Sequence, residues 1–151
     1  MKKFVLIFLM FYGFMNAQSL VEFRGYLQKG ESSEEVSKTL ISKSKTAYET
    51  TKKPIYEAFW AVGNFFMAKH AVNPISKYSY FNKGKKILED AVKKEPNSIE
   101  IRLMRLISQE KIPSFLGYNK NIESDRNFII KNYKNSDDEN LVKFIKNYLK
   151  I

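Results

Sequence analysis

Three polar side chains stand out on an otherwise apolar stretch: Arg102, Arg105 and Gln109, at i, i+3 and i+7 between Ile99 and Glu110. At that spacing they share one face of a helix. A guanidinium fork holds a carboxylate through two parallel hydrogen bonds, so such a stripe suits either of two jobs. It can line a groove that captures an acidic peptide end or side chain, with Tyr118 at the rim. It can equally form an internal ion pair that keeps packed helices in register. Glu57 and Asn64 repeat the i, i+7 spacing on another apolar segment, and a register in which the two stripes face one another accounts for all of these residues.

Other residues offer less chemistry. Lys83, Lys86, Lys93 and Lys94 point to water from one segment, either as a patch for anionic glycolipid or as an ordinary solvated face. Lys83-Gly84-Lys85-Lys86 lacks the glycine-rich loop and following hydroxyl of a phosphate-binding P-loop. His70 is the single histidine and falls on an apolar face, which suits a hydrogen-bonded core or rim side chain. With no second histidine and no cysteine, a zinc site lacks ligands, and no loop carries the carboxylate spacing of a calcium-binding EF-hand. Asp137-Asp138-Glu139 is the densest acidic cluster, placed where negative charge favours a helix start. No nucleophile stands beside a base at a diagnostic spacing, so neither an enzyme nor a cofactor is expected.

The partners are bounded by the start of the chain. Met1, Lys2 and Lys3 precede an apolar run from Phe4 to Met15 and then Asn16-Ala17-Gln18, the charged, greasy, small-residue order of an export signal cleaved after Ala17. The run holds about 12 residues where a membrane-spanning helix needs about 20. The expected organisation is a signal peptide over 1–17 and a single helical domain over 18–151, periplasmic or secreted. Without cysteine that domain has no disulfide and is not a lipoprotein. Of the formal +10, two charges sit on Lys2 and Lys3, leaving +8 on the exported part. Anionic partners follow, and nucleic acid is a poor match to the compartment.

Hydrophobic periodicity then supplies the elements that hold these residues. Leu20 to Lys29 reads as a short amphipathic helix stopped by Gly30, a residue suited to a left-handed position. Ser32 and Glu35 have capping-box spacing ahead of a helix to about Thr51. Pro54 opens a central helix to about Ala71, apolar almost all round, and Asn73-Pro74 breaks it. Further helices are expected over about Lys77–Glu95, Ser98–Glu110 and Lys120–Tyr133. Ser136 with Glu139 opens the last, where Leu141, Phe144, Ile145, Tyr148 and Leu149 form one stripe. The loop Pro113–Tyr118 places Phe115, Leu116 and Tyr118 near the surface, to cap the core or to anchor a partner. No segment alternates with period two, so the fold class is all-α, with about six to seven helices in antiparallel hairpins.

Within that frame Phe59-x-x-Val62-Gly63-x-x-Phe66 resembles the first-helix signature of a tetratricopeptide repeat, and Phe81, Gly84, Leu88, Ala91 and Pro96 fall at spacings that resemble its second helix. Small residues at Gly63, Gly84 and Ala91 allow paired helices to approach. Gly63 and Gly84 are 21 apart where the repeat has about 12, which implies an insertion over Ala71–Lys77. The resemblance covers residues 55–110, about one and a half units. Ala68-Lys69-His70, Asn73-Pro74, Tyr80-Phe81-x-Lys83-Gly84-Lys85, Pro96-Asn97, Glu100-Ile101-Arg102 and Phe115-Leu116-Gly117-Tyr118 also look like small exported proteins of Bacteroidota. That resemblance implies a helical fold and a compartment, and no activity. The expectation is a non-enzymatic exported module that binds a protein or peptide in the envelope; the alternatives are a basic protein binding anionic glycolipid, or an enzyme without a recognisable motif.

Overall fold

The computed structural model describes residues 20–151, so the expected export signal over 1–17 lies outside the described residues. Within them the chain is all-α and contains no strand. Helix α1 covers 20–30, α2 Glu34–Thr51, α3 Pro54–His70, α4 Pro74–Lys94, α5 Ile99–Lys111, α6 Ile122–Asn132 and α7 Glu139–Leu149. Single 3-10 turns lie at Ser114–Leu116 and Tyr133–Asn135.

Local chemistry sets the helix starts, in places one or more residues away from the expected cap. Ser33 rather than Ser32 caps α2, its Oγ accepting from the Val36 N–H at 3.3 Å, while the Ser32 hydroxyl turns back to the Lys29 carbonyl. At α7 the cap is Asp138, which accepts from the Leu141 N–H at 3.0 Å; Ser136 supports it by accepting from the Asp138 N–H at 3.2 Å. A carboxylate outcompetes a hydroxyl there because it also meets the positive end of the helix dipole. The expected break at Asn73-Pro74 is real, but Pro74 is the first residue of α4 and the Asn73 Oδ1 caps Ile75 and Ser76. The supposed insertion is thus a three-residue linker followed by helix. Gly30 is likewise not left-handed. A Cβ there would lie 2.7 Å from the Phe66 ring, so the glycine serves close packing.

Short connections fold α2, α3 and α4 into successive antiparallel hairpins, with α3 in the middle. Glycines set the spacing: a Cβ on Gly84 would stand 2.9 Å from the Ala61 carbonyl oxygen, and one on Gly63 2.7 Å from Ile41 Cγ1. Both neighbours therefore lie tight against α3. Phe23 stacks on Phe59 at 5.3 Å, and with Leu40, Leu88, Ala91 and Ile101 they form a first core. A second core joins Leu103 and Leu106 of α5 to Ile129, Tyr133, Leu141, Ile145 and Leu149. Helix α5 carries apolar residues over most of its circumference because it is the wall between the two. Full burial of one large apolar side chain contributes roughly 1.5–3 kcal/mol, so the two cores supply the driving force. Arg24 ties the beginning of the described chain to its end. Its guanidinium grips Glu100 through two bonds of 2.7 Å and Asp138 through one of 2.8 Å.

Candidate functional site

The arginine stripe lies where α5 faces α6, and its partner comes from α6. Asp125, fully buried, accepts from Arg105 Nε at 2.7 Å, from the second arm of the same fork at 2.8 Å and from Arg102 Nε at 2.8 Å. Glu89 of α4 takes the remaining Arg105 nitrogen at 3.0 Å and also accepts the Tyr118 hydroxyl at 2.7 Å. Gln109, 2 % exposed, accepts from the Asn121 backbone N–H at 3.0 Å and donates to its side chain at 3.2 Å. Arg102 further lies 4.1 Å above the Phe128 ring centroid.

These groups are spoken for. Burial pulls the Arg105 guanidinium down, yet Asp125 and Glu89 outweigh it and the net direction is up. Tyr118, 4 % exposed, sits well above the ordinary phenol value because burial and its bond to Glu89 both favour the proton. Of the two jobs open to the stripe, the geometry is that of the internal ion pair, holding α4, α5 and α6 in register. The facing of two stripes is corrected: Glu57 pairs with Lys94 of α4 and Asn64 bonds the Trp60 carbonyl, while Arg102 and Arg105 hold Asp125. Tyr118 is likewise packed against Phe65 and Phe81 rather than standing at a rim. Phe115 is the exposed aromatic of that loop, at 85 %.

Glu57 and Asn64 instead share a face of α3 with Trp60, between α2 and α4. The Lys94 ammonium chelates both Glu57 oxygens at 2.8 Å and donates to Tyr48 at 2.7 Å, which raises its pKa, first through Glu57 and then through Tyr48. Lys45 from α2 and Lys83 from α4 stand 5.9 and 5.8 Å from the Trp60 ring centroid. Asn64, 1 % exposed, donates to the Trp60 carbonyl at 2.8 Å. Its Oδ1 and the Trp60 Nε1 are buried and have no hydrogen-bond partner among the described residues. A buried polar atom left so costs about 1–3 kcal/mol. The four lysines expected to form a patch do share one exposed face of α4, yet Asp90 lies between Lys86 and Lys93, and Glu57 holds Lys94.

Sequence reasoning missed Trp60 as a site residue because it merges into an apolar run. The available signal was its being the chain's single tryptophan, set between Glu57 and Asn64 on one helical face. His70 bonds the Gly30 carbonyl through Nε2 at 3.0 Å, tying the end of α3 to the end of α1. Asp137 to Glu139 start α7, with Asp138 also paired to Arg24. No group of three or more His, Cys, Asp or Glu able to hold a metal occurs among the described residues. Comparison of the chain with protein-family models, with curated proteins and with solved structures finds no match.

Proposed function

We propose that this protein is a non-enzymatic helical module of the cell envelope that binds an acidic peptide segment of another protein across α3, between α2 and α4. The tetratricopeptide-like pairing of helices supplies the groove, and the export signal expected from the sequence supplies the compartment. One observation carries the reading: Trp60 lies under lysines from both α2 and α4, and its own buried indole N–H and the buried Asn64 amide oxygen have no hydrogen-bond partner among the described residues. A peptide carboxylate replaces water around Lys83 and displaces the loosely held Glu49 from Lys45, and the flat indole offers an amphipathic anchor of the kind that dominates interfaces. A peptide suits this face better than a continuous anionic lipid surface, because Asp90 and Glu57 stand among the lysines and repel unbroken negative charge.

Trp60 is the only tryptophan, so its emission reports on this groove alone. Titrating the protein with a glutamate-rich peptide shifts that emission, and Lys45→Ala with Lys83→Ala weakens the titration about tenfold, in line with two exposed-to-half-buried charge contacts of roughly 0.5–1 kcal/mol each. The shift fades as salt rises, since the Debye length shrinks to about 3 Å at 1 M. Unchanged emission at saturating peptide, or a titration indifferent to both lysines, overturns the reading.

A further inference from the structure

One end of the bundle exposes apolar groups that the helices do not need. Val72 is 93 % exposed, Ile75 80 %, Tyr78 60 % and Phe115 85 %. They come together because of what lies beneath them: Tyr78 stands 6.3 Å from the Phe81 ring, and Phe81 6.2 Å from that of Tyr118, whose loop carries Phe115. The charged groups at the helix ends confirm the grouping. Glu31, just past α1, takes Lys69 at 3.0 Å and Lys111 at 2.8 Å, and the Lys77 ammonium reaches the Lys69 carbonyl at 3.4 Å. The turn after α3, the start of α4 and the loop after α5 therefore present their tips side by side.

The frame around those tips is positive. Lys69 and Lys111 share one carboxylate, Glu31, Lys77 adds a third ammonium beside them at the Lys69 carbonyl, and the nearby Glu34 is neutralised by Lys38 on its own helix. Side chains such as Val72, Ile75 and Phe115 in water lose the hydration advantage of burial, and a tyrosine beside them has the apolar body and polar tip that settle at a membrane interface. Lysines on the shoulders of an apolar tip meet lipid phosphates while their stems stay in the apolar zone. No helix among the described residues is long and apolar enough to cross a membrane, so contact at this end is superficial.

We propose that this end docks on an anionic bilayer surface, inserting Val72, Ile75 and Phe115 to the headgroup level while Lys69, Lys77 and Lys111 engage phosphates. The occupant is lipid because Val72, Ile75 and Phe115 are 80–93 % exposed instead of forming a recess, and because the three lysines beside them outnumber the one carboxylate, Glu31, that Lys69 and Lys111 share. The inference is independent of the peptide reading, which concerns the flank of α3. Docked this way, the protein keeps that flank free.

The absence of cysteine makes the test site-specific. Full-length Ser114→Cys, beside Phe115, and Asn147→Cys, on α7, are each labelled with an environment-sensitive dye and mixed with vesicles of phosphatidylglycerol and phosphatidylcholine, or of phosphatidylcholine alone. The expected result is a blue shift at position 114 with anionic vesicles, little shift at 147, and little shift at either with phosphatidylcholine alone. Adding Val72→Ser and Ile75→Ser weakens the response at 114 by about tenfold or more. Raising salt to about 1 M weakens it as well. Vesicle binding with the dye at 114 unmoved, an equal shift on phosphatidylcholine, or a response insensitive to the serine substitutions overturns the proposal, the last two pointing to a protein partner or to anchoring elsewhere in the chain. A Trp60 emission that responds to peptide but not to vesicles keeps the two proposals apart.

Discussion

Asp125 and Trp60 lie at the centres of two polar clusters that this fold treats in opposite ways. Around Asp125, two guanidinium groups, a second carboxylate and a phenol satisfy one another inside the α4–α5–α6 junction, and the fully buried Asp125 accepts three bonds. Around Trp60, Lys83 and Lys45 contact the ring, Lys45 being paired only loosely with the exposed Glu49 at 3.8 Å, and two buried polar atoms have no hydrogen-bond partner among the described residues. Both combine cations, carboxylate and an aromatic ring. What separates structure from site is whether the hydrogen-bonding capacity closes on itself. An arginine stripe on a buried helix draws the eye as chemistry, yet it is the half-covered tryptophan that has capacity left over for something else.

The sharpest way to break that comparison is to remove Asp125. Asp125→Ala leaves Arg102 and Arg105 without their shared partner, and truncating one member of a buried ion pair costs about 3–5 kcal/mol. Urea denaturation should show the midpoint falling accordingly with little change in slope. The triple variant Arg102→Met, Arg105→Met, Asp125→Leu should recover most of that loss, because an apolar replacement removes the desolvation cost of all three charges. If the triple variant folds well but Asp125→Ala is barely destabilised, the network is not structural and the stripe returns as a candidate site.

Next in size is the close approach that shapes the Trp60 groove. Gly84→Ala brings a Cβ to 2.9 Å from the Ala61 carbonyl oxygen, which is backbone and cannot swing aside. Overpacking of this kind costs about 1–3 kcal/mol. Since it pushes α4 away from α3, it should also move Lys83 off Trp60 and change the tryptophan emission maximum. The same stability loss with an unmoved emission would separate helix spacing from groove geometry.

Of comparable size is the clasp between the two ends of the described chain. The Asp138 carboxyl titrates below its ordinary value: burial opposes this, but the Leu141 N–H and Arg24 outweigh it. A depressed folded-state pKa means stability that is fully present above the ordinary aspartate value and lost as the pH falls through the folded one. Arg24→Ala, which also frees the largely buried Glu100, should cost about 1.5–3 kcal/mol near neutral pH for charged hydrogen bonds of this kind, and less in acid. Thermal melts at pH about 7 and about 3 should therefore converge for wild type and variant.

How much of this was legible beforehand differs by scale. Ser98 marks a helix start by accepting from the Ile101 N–H and Pro54 through its fixed backbone angle, whereas Asn73-Pro74 reads as a break and hides the start of α4 at Pro74. The all-round apolar character of α5 announced a helix flanked on both sides. The arginine stripe was legible as well. Its partner was not, because Asp125 sits in the first turn of α6, where an acidic side chain already has a reason to be: the helix dipole. Only packing brings it 20 positions back onto Arg105. Gly30 reads as a helix stop for a similar reason, since a glycine needed for its missing side chain looks the same in sequence as one needed for its backbone freedom. Trp60 was hidden by its neighbours, as periodicity cannot tell a half-covered ring from a buried one when the whole helix is apolar.

The smallest expected change in stability carries the largest consequence for the comparison. Glu57 is the one carboxylate in the Trp60 groove that holds a lysine tightly, its side chain 7 % exposed and chelated by Lys94 at 2.8 Å. Glu57→Gln keeps a hydrogen-bond acceptor for Lys94 but removes the charge. Lys94, 43 % exposed, can then turn to water, so the stability cost should stay near about 1 kcal/mol. Binding should move the other way. Without Glu57 the groove gains a net positive charge, and an acidic peptide should bind several-fold more tightly and faster at low salt, with a steeper salt dependence. A buried network such as that of Asp125 behaves in the opposite sense, losing stability whenever a carboxylate is neutralised and gaining no ligand. A Glu57→Gln protein that is strongly destabilised and binds no better would place this cluster with the Asp125 network, and the distinction between the two regions would fall.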